Sequence, residues 1–144
     1  MADTKTIVAF ATAAILANGE YKESEKDAIS SIAETLNINE KEMFDAIDSE
    51  IEKQEAMSDE DLNAYLIEMA KGLDENDMIE VFQICLSVTL ADGILSKNET
   101  IILLTLADIL NIDVVYATMM IAYSVNNATD LVVEIELDNI GGDK

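Results

Sequence analysis

Two short stretches hold the side chains whose type and spacing bear on chemistry. The first carries Asn18, Glu20 and Glu25, and the second carries Asp92 and Glu99. In each, an Asx-Gly pair ends one apolar segment, and a glutamate seven positions after the Asx opens the next. A tight reversal brings such side chains together. Hard cations such as Ca²⁺ and Mg²⁺ take several carboxylate and carbonyl oxygens, and bent loops supply both. Zn²⁺ fits poorly without histidine or a cysteine cluster. A structural alternative accounts for much of the same pattern. Asx-Gly is an ordinary helix terminator, Ser96-x-x-Glu99 is a capping box, and a glutamate near a helix N-terminus is favoured by the dipole. In the first stretch Lys22 stands where the capping serine would be, and a lysine side chain cannot accept the cap hydrogen bond. Capping by a full box therefore does not cover both glutamates. No segment fits the EF-hand pattern; Asp74-Glu75-Asn76-Asp77 starts like one but has Ile79 where glycine belongs.

The two stretches are copies of one unit. Residues 17–39 align with residues 91–113 at a constant offset, with identities at Ala17/Ala91, Gly19/Gly93, Glu25/Glu99, Ala33/Ala107, Leu36/Leu110, Asn37/Asn111 and Ile38/Ile112. A fixed-period match is the signature of a duplicated structural unit. The repeat also bears on the N-terminus, where Lys5 followed by IVAFATAAILA resembles a short signal peptide. Residues 7–17 align with the internal residues 81–91, so this segment reads as a first core helix.

Composition narrows the function. The chain has 144 residues, half of them hydrophobic, and a net charge of −22. It has no proline, tryptophan or histidine and only five glycines. Few helix breakers with abundant Ala, Leu, Ile, Glu and Met point to an all-α fold. Absent histidine removes the commonest general acid–base group and transition-metal ligand. No arginine is present, and eight lysines face thirty acids, which argues against nucleic-acid binding and against anionic membrane surfaces. Cys85 lies in the apolar run VFQICLSVTLA and reads as a small buried hydrophobe. No catalytic residue is assigned: no paired-carboxylate cleft is legible, and neither Cys85 nor any serine has a histidine to activate it. No charge-free run reaches transmembrane length, and cytoplasm is the default location.

Caps and periodicity predict about seven helices: 4–17, 23–36, 40 onward, 59 to near 72, 76–91, 97–110 and 114–125. Helices one to three match helices five to seven, with the fourth as a link. The sixth, TIILLTLADIL, is apolar nearly all round and is expected at the centre. Residues 4–125 form the domain and residues 126–144 an acidic and apolar tail. In that tail Leu131, Val133, Ile135 and Leu137 follow strand periodicity. A lone strand cannot satisfy its own backbone, so the segment either pairs with something or, as expected here, is mobile or partly helical.

Twenty of the thirty acids fall between residues 18 and 80. Glu42, Asp45, Asp48, Glu52 and Glu55 stack at helical spacing, as on a wet face. The equivalent face of the seventh helix is apolar: Glu40 becomes Val114, Glu42 becomes Tyr116, Asp45 becomes Met119 and Asp48 becomes Ala122. Tyr116, Met119, Met120 and Tyr123 are therefore expected in an interface, with the tail, a second copy or another protein as the cover.

The doubled A-[DN]-G turn with its following glutamate, apolar helix and L-N-I resembles the tellurite-resistance TerB-like family. It also resembles the region joined to the J-domain in membrane-anchored DnaJ-like co-chaperones. The resemblance spans about residues 4–125. It implies an all-α fold of about seven helices in two pseudo-symmetric halves, followed here by a short C-terminal tail. It also implies a stress-linked, metal-associated, non-enzymatic module. The acidic positions carry over to Asp92 and Glu99, and to Asn18 and Glu25. Asn18 departs from the family's aspartate, so the first site is expected to be the weaker, helped by Glu20. The expected function is weak divalent-cation binding, by Ca²⁺ or Mg²⁺, with protein interaction through a partner or a homodimer along residues 113–125. The alternatives are a metal-free protein–protein scaffold and an acidic mimic of nucleic acid.

Overall fold

The computed structural model describes residues 2–19, 21–127 and 132–133. Glu20, Leu131, Ile135 and Leu137 lie outside them. Seven helices follow in order: α1 Thr4–Ala17, α2 Glu23–Thr35, α3 Glu40–Glu55, α4 Asp59–Ala70, α5 Glu75–Thr89, α6 Lys97–Ile109 and α7 Val114–Asn126. A 3₁₀ turn, Leu90–Asp92, extends α5.

Caps fix most of these limits. Asp3, Asn39, Ser58, Asp74 and Ser96 each accept a hydrogen bond from a backbone N–H of the first helical turn. This satisfies one of the donors a helix start leaves open. At the C-terminal ends of α2 and α6 the same closure occurs twice. Ile38 N–H donates to Ala33 O and Ile112 N–H to Ala107 O, both at 2.8 Å. Asn37 and Asn111 take the left-handed conformation at φ 58° and 63°, which asparagine tolerates better than other residues with a side chain. Gly19 and Gly93 match in the same way, at φ 83° and 78°. The limits of α2 and α6, and the starts of α3 and α7, thus recur at the offset of the repeat.

The centre of the molecule is α1, not α6. Ten consecutive residues, Thr6–Ile15, are buried, and α1 packs against α3, α4, α5 and α6. Its many alanines let neighbours approach from every side, with Ile7, Phe10 and Ile15 filling the space between. The α6 helix buries only Glu99, Leu103, Leu106 and Ala107, and Ile101 is 51% exposed. Hydropathy alone misplaced it, because a helix apolar all round still needs neighbours on all sides. Cys85 of α5 is fully buried, with Sγ 3.6 Å from the carbonyl of Phe10; burial pushes its thiol up to about 12.

Among the described residues the only β structure is a two-residue parallel ladder. Ile94 (β1, Ile94–Leu95) pairs with Val132, and Leu95 with Val133 (β2, Val132–Val133). This part of the tail is neither helical nor alone: it takes the second turn as its strand partner.

Candidate functional site at the seam of the repeat

The α1–α2 turn and the α5–α6 turn meet. Asn18 and Asp92, equivalent in the repeat and 74 positions apart, are hydrogen-bonded: Asn18 Nδ2 donates to Asp92 Oδ2 at 3.2 Å. The same nitrogen donates to Glu25 Oε2, also at 3.2 Å. Two candidate sites are therefore one cluster.

Each carboxylate is held the same way, by one oxygen on a backbone N–H. Lys22 N–H donates to Glu25 Oε1 at 2.7 Å, Ile94 N–H to Asp92 Oδ1 at 3.0 Å, and Ser96 N–H to Glu99 Oε1 at 2.9 Å. Glu99 completes its box by donating its own N–H to Ser96 Oγ. Glu25 has only half a box, since the Lys22 ammonium has no lone pair to return. Half a box is enough, however, to give Glu25 its capping role. Capping thus accounts for one oxygen of each glutamate and leaves the second over.

The second oxygens are buried. Glu25 is 1% exposed and Glu99 2%. Glu25 Oε2 and Asp92 Oδ2 share the Asn18 amide, while Glu99 Oε2 is sealed from solvent with no hydrogen-bond partner. Burial raises the Glu25 carboxyl above its usual range. The Lys22 N–H bond opposes this rise, and the Asp92 and Glu99 charges add to it. Lys22 Nζ lies 3.5 Å from Asp92 Oδ2, its side chain reaching in from a half-exposed position. Sequence reasoning did not place Lys22 in the site, although a lysine between Asn18 and Glu25 was the available signal.

The donor set suits a hard cation in kind: three carboxylates and an amide, with an orphaned buried oxygen on Glu99. Yet among the described residues no three acidic side chains are gathered closely enough to share a metal ion. The Asn18 amide stands between two of them, Glu25 and Asp92.

The profile of the family described as Tellurite resistance protein TerB matches residues 4–119. The chain belongs to the TerB family. No curated protein and no solved structure matches it. The match takes in every member of the cluster and stops short of Tyr123 and the tail. Among the described residues of this TerB-family chain, no helix is long and apolar enough to cross a membrane.

Proposed function

We propose that the chain is a non-enzymatic TerB-type module that binds a divalent cation weakly at the seam. In this reading it serves protein interaction in a stress-response setting. The observation that carries it is Glu99 Oε2, a buried carboxylate oxygen with no donor among the described residues, on a glutamate whose charge is felt by Glu25. An anionic oxygen without a partner is costly, and a cation is the partner that relieves it. Glu25, Asp92 and Glu99 would have to draw closer together than they stand to hold the ion. Asn18 would join them after a half-turn of its amide, which presents oxygen in place of nitrogen. Binding competes with what is there already, the Lys22 ammonium and the Asn18 donor, so affinity is expected to be low. The ion would supply charge neutralisation between the two turns.

The test is calorimetric titration with Ca²⁺ and Mg²⁺. Glu99→Gln keeps the Ser96 bond and removes the charge; affinity should drop by about tenfold or more, some 1.4 kcal/mol. Absence of metal-dependent heat in the unaltered chain defeats the cation reading.

One observation favours the metal-free scaffold as a second reading. Asn18 and Lys22 already bridge carboxylates of both turns, which makes the cluster a polar pin between the units without any ion.

A further inference from the structure

The two halves differ where α3 and α7 should correspond. The α3 helix packs along α1. Met43 and Ile47 of α3 are buried, and Gln54 Nε2 donates to the Ala9 carbonyl at 2.9 Å. The α7 helix docks on α6 and makes at most a fringe contact with α5. Sequence explains the gap: Met43 and Phe44 are replaced by Ala117 and Thr118, and the position of Gln54 falls at Ala128, past the end of α7.

A groove of about 520 Å³ lies between Leu86 of α5, with Leu90 of the 3₁₀ turn, and Tyr116, Met119, Met120 and Tyr123 of α7. At Gln83 and Ser87 it meets a second hollow of about 360 Å³, walled by Ile32 and Leu36 of α2. The combined groove follows the outer face of α5. Met119 is 63% exposed and Tyr123 73%, and α7 carries no charged side chain.

Its polar character has one sign. Glu80 lines the α2 end, and its Oε1 is shut from solvent without a hydrogen-bond partner. Exposed Asp27 and Glu34 sit one turn to either side of Ser31, which lines the same wall. Among the described residues no lysine lines either stretch. An apolar floor flanked by methionines and unmatched carboxylates fits an amphipathic helix with Lys or Arg beside its apolar stripe. The stripe supplies anchors at helical spacing, thioether side chains adapt to their shape, and the cation answers the exposed Asp27 and Glu34 beside Glu80.

We propose that the α2–α5–α7 groove is the docking site for a basic amphipathic helix of a partner protein. This gives a partner chemistry to the interaction half of the proposed function. It is independent of the cation half, because the experiment runs with chelator and no divalent ion.

The full chain, isotope-labelled, is titrated with a synthetic peptide of about 16 residues, long enough to hold helix when bound. The peptide contains leucine and lysine, with leucines on one face. A scrambled peptide of equal charge and a leucine–glutamate version are the controls. The expected result is saturable binding of the first peptide, about tenfold tighter than the scramble. Shifts should centre on Gln83, Leu86, Tyr116 and Met119. Met119→Asp, at an exposed position, and Glu80→Gln should each weaken binding without lowering the melting temperature. Equal binding of the scramble, shifts confined to the acidic face of α3, or no binding at all overturns the proposal. So does sedimentation showing a dimer that buries α7, since a second copy would then be the occupant.

Discussion

Asn18 and Glu25 show how the cluster holds buried negative charge. The two N–H groups of one amide answer two carboxylates, where an aspartate would add a further charge. Glu25 still carries a net cost: burial, and then the charges of Asp92 and Glu99, raise its carboxyl above the ordinary value of 4.5. The folded chain thus holds this proton more tightly than the unfolded chain does. The Glu25 contribution therefore falls as pH rises from 4.5 through the raised folded value. Above that window its full destabilisation is present, and below 4.5 it is gone. Net charge of −22 adds a general gain on acidification, so the comparison must be between variants. Glu25→Gln should be no less stable than the unaltered chain near neutral pH. It should gain less on moving from about pH 7 to about pH 5, read from urea midpoints. Identical pH profiles would show that Glu25 is not the titrating group.

At the scale of helices, α6 gives a sharp contrast between apolar positions. Leu103→Ala removes a fully buried side chain and should cost about 2–5 kcal/mol. Ile101→Lys, two residues earlier and half in water, should stay within about 0.5 kcal/mol. Chemical denaturation of both variants checks it; a large loss from Ile101→Lys would return α6 to the core. The same helix marks what sequence could convey. Helix limits were legible because caps and Asx-Gly stops are local chemistry, written in Asn39, Ser58 and Ser96. Which apolar helix sits at the centre was read wrongly: TIILLTLADIL carries Asp108, whereas IVAFATAAILA has no charge and smaller side chains that admit neighbours on every side. The members Asn18, Glu25, Asp92 and Glu99 were legible from the repeat. Their union was not, because it depends on how the two turns are set against each other. The pairing of Val132–Val133 with the second turn is likewise non-local. The groove beside α7 was half legible: the apolar face was visible in the exchange of acids for Val114, Tyr116 and Met119. Its other wall, Leu86 and Leu90, was not, because it depends on how α7 is set against α5.

For the molecule as a whole, the Asn18–Asp92 contact joins the two copies of the repeat across 74 positions. Three turn amides sit beside that junction. The N–H groups of Lys22, Ile94 and Ser96 are bonded to carboxylates of the cluster, which stay shielded only while the turns remain together. Amides in connecting segments ordinarily exchange their hydrogens with solvent through small local openings. Here the opposite turn is expected to deny them such openings. Native-state hydrogen exchange should show these three as slow as amides within α1, with the same dependence on added denaturant. Exchange at the pace of the first turn of α4 would mean that the junction opens by itself. If they are slow, the segments that look loosest in the chain trace are the last to let solvent in. The separation of the two copies and the global loss of structure are then one event.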